Sequence, residues 1–402
     1  MAVKLYADPA CPDCARVRAW LAANRVEFEE LGTAGSDQAA RRAAEAGYGA
    51  PVFPVVETEG RTLARPSDLE LAELFGRELP AAVETGCLIV GGGPAGLTAA
   101  LYLAREMVPT IVLEQALPGG QVNTTSLVEN YPGFPQGVDG PDLMAKLAYQ
   151  ARRFGAELLH PVEVTGLRAA GDGHEALTAG GSVFRSGAVV VAAGSDYRRL
   201  EAPGAAELTG RGVASCATCD APFFRNKTVA VVGGGNSAAE ESLFLLKFVR
   251  EIHLFQHLPE LTAQRHLVER LAADPRVHLH VNSEVRAVRA DARGAVRCVE
   301  VRDRAAGRDE CVAVQGVFVF IGRTPNTGWL RGYAELDAAG FVVTRPGSVA
   351  TARQGLFAAG DCRSGARAQI TTAAGDGTLA SFLVRELLGQ RQARRADAVV
   401  GG

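Results

Sequence analysis

Cys87-Leu88-Ile89-Val90-Gly91-Gly92-Gly93-Pro94-Ala95-Gly96-Leu97 reads as a buried strand that turns into a helix through Gly91-x-Gly93-x-x-Gly96. Glycines at these places permit a tight turn and a close approach of backbone to a pyrophosphate, which then rests on the helix N-terminus. About twenty residues on, Glu114 ends a second apolar strand, Thr110-Ile111-Val112-Leu113, where a carboxylate can accept hydrogen bonds from a ribose. A lone glycine motif is weak evidence, but here strand, helix and acid follow in the expected order. The device recurs where Lys227-Thr228-Val229-Ala230-Val231-Val232 leads into Gly233-Gly234-Gly235-Asn236-Ser237-Ala238, with Ala238 in the place of the third glycine. Two dinucleotide folds are expected, and the completeness of both fingerprints disfavours one of them being merely structural.

Between the two loops lies Ser215-Cys216-Ala217-Thr218-Cys219-Asp220. Cysteines two residues apart can close a small disulfide, and an acid after the second can hand over or take up the proton when it opens. Half of a zinc site has the same spacing. The position between two nucleotide loops, and a second pair in Cys11-Pro12-Asp13-Cys14, favour redox chemistry and no metal.

Around that second pair the pattern predicts a strand at Val3 to Tyr6, a helix through Val17 and Leu21, and a strand near Phe28-Glu29-Glu30-Leu31. A helix from Ser36 to Gly47, a strand at Pro51-Val52-Phe53-Pro54-Val55-Val56, a hairpin partner at Arg61-Thr62-Leu63 and a helix from Ser67 to Phe75 follow. Cys11 at a helix start sits beside unpaired N–H groups and the positive end of the dipole, so it is the expected nucleophile and Cys14 the resolver. The order βαβαββα resembles the glutaredoxin and thioredoxin-like fold. That resemblance makes Pro54 the cis-proline beside the active cysteines. Ala64-Arg65-Pro66 replaces the double glycine that helps glutaredoxins hold glutathione, so a protein disulfide is the expected partner.

The 402 residues, 47% hydrophobic and 22% charged, suit two or three domains, and a net charge of -3 gives no general attraction to nucleic acid or anionic membranes. No apolar run approaches the ~20 residues of a membrane span, and the N-terminus lacks signal-peptide character, so a cytoplasmic location is expected. In a reducing compartment Cys87, Cys298, Cys311 and Cys362 are expected to be packed small hydrophobes and not structural disulfides.

Residues 87 to about 388 resemble the low-molecular-weight thioredoxin reductase family. The matching words are the two glycine loops, Gly119-Gly120-Gln121, Glu129-Asn130-Tyr131-Pro132-Gly133-Phe134, Cys216 to Asp220, Ile321-Gly322-Arg323-Thr324-Pro325-Asn326-Thr327 and Ala359-Gly360-Asp361. The resemblance implies an α/β chain in which a thioredoxin-like fold precedes two Rossmann-like domains of three-layer ββα type. The expected bounds are 1–78, a linker at 79–86, an FAD domain at 87–200 and 322–388, an inserted NAD(P) domain at 201–321 and a disordered tail at 389–402. The linker would let the first domain swing. For FAD the resemblance implies Gly91, Gly93, Pro94, Ala95, Gly96, Glu114, Gly120, Gln121, Asn130, Gly360, Asp361 and Gln369. For the nicotinamide it implies Gly233, Gly235, Asn236, Ser237, Ala238, His257 and Gly322. It also implies a homodimer with a rotating inserted domain, Cys219 facing the flavin, Cys216 attacking the incoming disulfide and Asp220 managing the proton.

A thiol domain ahead of the reductase also resembles the flavoprotein subunit of bacterial alkyl hydroperoxide reductase, which carries two such folds where this chain has room for one. Thioredoxin reductases place a His-Arg-Arg run and a further arginine at the position of Gln256 to Thr262 to grip the 2′-phosphate of NADPH. This chain has Gln256-His257-Leu258-Pro259-Glu260-Leu261-Thr262, so NADH is expected over NADPH, which His257 and Arg265 could partly serve. Arg367-Ala368 stands where the family has an aromatic and a basic residue before Gln369. The expected activity is a relay from nicotinamide through FAD and Cys216/Cys219 to Cys11/Cys14, and on to a thioredoxin-, glutaredoxin- or peroxiredoxin-type disulfide. A redox-sensing flavoprotein with little turnover and a ferredoxin-linked reductase are the alternatives.

Overall fold

The computed structural model describes residues 3–8, 11–32, 41–42, 45, 52–125 and 127–400. The chain divides into two compact units, Met1–Ser195 with Pro325–Gly402, and Asp196–Thr324.

The first unit begins with a four-stranded sheet of order β2-β1-β3-β4, formed by β1 (Lys4–Ala7), β2 (Glu29–Gly32), β3 (Val55–Glu57) and β4 (Thr62–Ala64). β1 runs parallel to β2 and antiparallel to β3. The helix Pro12–Ala23 lays Cys14, Val17 and Leu21, one stripe of a 3.6-residue repeat, against Leu5, Val56 and Leu71. The Phe53–Pro54 peptide is cis, as the resemblance implied. The helix expected from Ser36 to Gly47 falls largely outside the described residues. Ser67 and Glu70 form a reciprocal capping box that starts the helix Asp68–Leu74.

The expected linker is a correction. Residues from 82 onward belong to β5 (Ala82–Val90), which pairs with a later strand from Ala82↔Val183, because Val83 and Thr85 alternate into a sheet edge that small residues had disguised. Nor is the thiol domain loosely hung. Glu70, 3% exposed, accepts hydrogen bonds from Ser67 N (3.0 Å), Arg152 Nε (2.8 Å) and Leu158 N (3.2 Å). Arg61 forks onto Glu73 at 2.7 and 2.9 Å and donates to His160 O at 3.2 Å. Burial, followed by the charges of Arg61 and Arg152, pushes His160 down to about 3, so its ring stays neutral and Nε2 can accept from Arg61 at 3.0 Å.

The second layer system is a seven-stranded sheet of β5, β6 (Thr110–Leu113), β7 (Glu157–Leu159), β8 (Val164–Ala170), β9 (Gly173–Thr178), β10 (Val183–Val191) and β21 (Leu356–Ala358). Its order is β7-β6-β5-β10-β9-β8, with β21 also on β10, and the short strands β11 (Ser195–Tyr197) and β20 (Arg323–Pro325) pair as a two-stranded sheet. β10 is long enough to serve twice: its first half pairs antiparallel with β9 and its second half parallel with β21. Helices Pro94–Arg105, Gly140–Arg153 and Ile370–Val400 cover one face through Leu97, Leu103, Ala148 and Val384. Leu167 and Leu330 belong to the core of the other face, which gives helix, parallel sheet and antiparallel layer in that order.

The expected disordered tail is a second correction. The helix runs on to Val400. An arginine inside the expected tail anchors it, since Arg391 Nη1 donates to Gly187 O; just ahead of the tail Arg385 pairs with Glu106 at 2.8 Å.

The second unit repeats the plan. β12 (Val213–Ala214), β13 (Thr228–Val232), β14 (Glu251–Phe255), β15 (Val277–His280) and β19 (Gly316–Val319) form a parallel sheet of order β12-β19-β13-β14-β15. β16 (Ser283–Ala290), β17 (Val296–Asp303) and β18 (Arg308–Ala313) make the antiparallel layer. Here lies the third correction: Cys298 and Cys311 are joined as a disulfide between β17 and β18, with Cα atoms 6.0 Å apart. Strand pairing brings together two thiols that look isolated in the sequence, whereas Cys87 and Cys362 are buried and free as expected.

Glu70→Ala leaves Arg152 and the Leu158 N–H without their acceptor and should cost about 3–5 kcal/mol. A lowered urea midpoint with faster proteolysis at residues 75–81 is expected; an unchanged midpoint would remove the clamp.

Candidate active site

Cys216 follows β12 as the N-cap of a one-turn helix, Ala217–Asp220, and its Sγ accepts the Cys219 N–H at 3.2 Å. The two sulfurs are bonded, with Cα atoms 5.4 Å apart. Cys219 is exposed and Cys216 half-buried. Burial pushes the Asp220 carboxyl up to about 6, so a fraction of it stays protonated near neutrality and can supply a proton to a departing thiolate. The helix Asn236–Leu245 adds a residue that sequence reasoning passed over. Glu241 accepts the backbone N–H groups of Ala217 and Thr218, holding the turn that carries Cys216. Its Oε2 is sealed from solvent with no hydrogen-bond partner, and desolvation raises its pKa.

The N-terminal pair repeats this geometry. Cys11 is the N-cap of Pro12–Ala23, and its Sγ accepts the Cys14 N–H at 3.4 Å. It also lies 3.7 Å from Phe53 O, the carbonyl of the cis peptide, so the fold brings Cys11 and Pro54 together. Cys14 is buried, and burial, with the hydrogen bond to Cys11 next, pushes its thiol up to about 12. The half-exposed member is thus the one able to attack.

At the first glycine loop a Cβ on Gly96 would strike Gly91 O and one on Gly91 (φ 108°) would strike Ala192 O, which is why neither carries a side chain. Gly93 caps the helix without any side-chain hydrogen bond, and a Cβ built there meets nothing within 4 Å. That leaves an open cradle at the positive end of a twelve-residue helix, which fits a pyrophosphate. Gly119 N donates to Gly92 O at 2.7 Å, which seats Gly120 over Gly93. Glu114 spends two hydrogen bonds on its own chain, from Gly92 N (2.7 Å) and Ala116 N (2.8 Å), and keeps acceptor capacity for a hydroxyl. Asn130 Nδ2 donates to Gln369 Oε1 at 3.2 Å, so two expected flavin residues 239 positions apart meet. Gln121 Nε2 donates to Ser195 O. Gly360, beside Asp361, donates to Asp376, which also forks with Arg363 at 2.7 and 3.0 Å; neither partner was anticipated.

The second loop is built likewise. A Cβ on Gly233 would strike Phe320 O, and Gly235 caps its helix with no side-chain bond. Asn236 and Ser237 are exposed at that helix start and Ala238 is buried beneath it. Asn236 Oδ1 accepts from Gln264 N at 2.8 Å. Gln256, 4% exposed, is so close to Gly234 that any side chain there would strike it; His257 is exposed, and Gly322 sits at φ 103°.

Residues 85–377 match the pyridine nucleotide-disulphide oxidoreductase family, and residues 3–63 the glutaredoxin family. The chain belongs to the pyridine nucleotide-disulphide oxidoreductase family. It is a thioredoxin reductase-like member with a glutaredoxin domain in front. It is 39% identical over 79% of its length to 69% of a bifunctional thioredoxin reductase/thioredoxin from Mycobacterium leprae. NADPH-dependent thioredoxin reductase 3 of Arabidopsis thaliana is 38% identical over 75% of this chain, which spans 58% of that relative's length. The crystal structure of thioredoxin reductase from Streptococcus pyogenes superposes with a TM-score of 0.71 at 35% identity, over 77% of this chain and 99% of that one.

Among family signatures Asp220 is legible from its place after the second cysteine, whereas Glu241 is not part of a motif. Its only sequence signal is a carboxylate next to Ala238, Ser242 and Leu245, the buried stripe of its helix.

Asp220→Asn should slow thiol release from Cys216–Cys219 by about 10²–10⁴-fold, the usual worth of a positioned acid. The folded Asp220 pKa lies above the ordinary 3.8, so its share of stability is complete below pH 3.8 and is lost as pH rises through about 6. The variant should therefore melt higher than the parent at pH 7–8 and together with it below pH 4. Thermal melts across pH check this, and a parallel pair of curves would contradict it.

Proposed function

We propose that the chain reduces protein disulfides with electrons from a nicotinamide, using its two cysteine pairs in series. The observation that carries this is a closed Cys216–Cys219 disulfide beside a carboxyl that burial keeps partly protonated. The first glycine cradle, with Glu114, Asn130 and Gln369, would hold FAD, and the Gly233–Gly235 cradle the nicotinamide nucleotide. Bound FAD supplies a two-electron carrier between nicotinamide and disulfide.

Once opened, Cys216 is the thiol that attacks the Cys11–Cys14 disulfide, breaking its S–S bond and forming a mixed disulfide. Cys219 then displaces it, regenerating Cys216–Cys219 and releasing Cys11 and Cys14 as a dithiol; two electrons and two protons have passed. Cys11, beside Pro54, repeats the attack on the external disulfide and Cys14 resolves it. Thioredoxin-like pairs lie near −270 mV and glutaredoxin-like ones at about −200 to −230 mV, with ~30 mV equal to about 1.4 kcal/mol, so transfer into a glutaredoxin-like pair is downhill by a few kcal/mol. The external partner is a thioredoxin-, glutaredoxin- or peroxiredoxin-type protein disulfide, and the working enzyme is a homodimer.

The nicotinamide is NADH. Residues 256–262 contain no arginine to fork onto a 2′-phosphate, Arg265 is paired with Glu269 at 2.8 Å, and Glu260 would repel the phosphate.

Cys11→Ser should abolish turnover of the external disulfide while nicotinamide still bleaches the flavin; undiminished partner turnover would sink the relay. Anaerobic bleaching should run at least about tenfold faster with NADH than with NADPH at equal concentration, a ratio tied to the missing Arg fork. A preference for NADPH would reverse the cofactor assignment.

A further inference from the structure

The edge of the parallel sheet in the second unit carries a histidine-rich face that the redox chemistry does not use. β14 and β15 run parallel with His253 directly opposite His278 and Phe255 opposite His280. Side chains two residues apart on a strand share a face, so Glu251, His253, His278 and His280 stand together on one side of the sheet. His278 Nε2 lies 2.5 Å from Glu251 Oε1, and His253 Nδ1 lies 3.0 Å from His280 Nε2. The His253 and His278 rings stack with centroids 4.7 Å apart. One donor atom each from Glu251, His253 and His278 lies within 4.8 Å of the others, the only such set among the described residues.

We propose that Glu251, His253 and His278, with His280 as a fourth donor, form a binding site for a divalent transition metal of the zinc class. Two or three imidazoles with one carboxylate are the donor set that zinc prefers when thiolates are absent. Zinc–ligand bonds of about 2.0–2.1 Å place tetrahedral donors about 3.4 Å apart, so the spacings of up to 4.8 Å among Glu251, His253 and His278 close by at most about 1.4 Å through side-chain rotation. All four residues are half-buried, which leaves them free to make that movement while the paired strands hold their backbones. Each hydrogen-bonded pair shares a proton where two lone pairs face one another, and a cation takes the place of that proton without loss of either acceptor. Binding leaves Phe255, stacked on His280 at 4.6 Å, with one face covered by a ring whose orientation the metal would fix. The strand continues from Phe255 to Gln256, so an occupied site would stiffen the end of β14.

The test uses the untagged, full-length flavoprotein, oxidised so that both Cys-x-x-Cys pairs are closed and cannot compete as thiolates, stripped with chelator and dialysed against buffered zinc. One zinc per chain is expected. His253→Ala and His278→Gln should each weaken binding at least about tenfold, with flavin content and nicotinamide-driven bleaching unchanged, while Cys11→Ser and Cys216→Ser should bind zinc like the parent. No binding by the parent at micromolar free zinc, or undiminished binding in both histidine variants, overturns the site.

Discussion

The whole chain depends on two turns that leave no room for a side chain. Strand β5 passes into its helix only because position 96 lacks a Cβ, which would otherwise occupy the space of the Gly91 carbonyl. The same holds for Gly233 against Phe320 after β13. In each case the constraint delivers a helix N-terminus, stripped of side-chain caps, to the carboxyl end of a parallel strand. The positive end of such a helix favours an anionic group. The fold therefore presents two cradles of the same electrostatic kind, and its thiol chemistry is arranged between and ahead of them along the chain.

The thiol sites apply that principle on a smaller scale. Cys11 and Cys216 both occupy N-caps, and both accept the N–H of the cysteine three residues on. The start of a helix directs backbone N–H groups at each sulfur, and the thiolate is the form of a cysteine that attacks a disulfide. What differs is the management of protons. Near Cys216 two carboxyl groups, Asp220 and Glu241, are raised by desolvation, whereas in the N-terminal domain burial falls on Cys14 itself. The first arrangement suits a pair that is repeatedly opened from within, the second a pair that meets its partners at the surface.

Much of this was legible in the sequence because it is local. Glycine spacing and the Cys-x-x-Cys words act within a few residues of themselves, and the strand-helix alternation follows from apolar periodicity; the cis-proline, whose peptide meets Cys11 from far along the chain, was legible through the resemblance. What escaped was non-local. Cys298 and Cys311 look like stray small hydrophobes until β17 and β18 are paired. Residues 82–86 look like a linker until β10 supplies their hydrogen bonds, and the basic C-terminal segment looks unstructured until Gly187 accepts from Arg391. Glu241 and Asp376 belong to no motif because each acts on a backbone loop far away along the chain.

Glu70 shows what such a contact means for modularity. Its carboxylate accepts the Ser67 N–H at the start of a helix in the thiol domain and at the same time satisfies Arg152 and the Leu158 amide in the neighbouring sheet system. Severing the chain ahead of β5 would hence produce two fragments with orphaned charges, one on each cut face. The front domain is fastened like a keystone and cannot be treated as an interchangeable cartridge: grafting it onto another reductase would require carrying the arginine socket along with it.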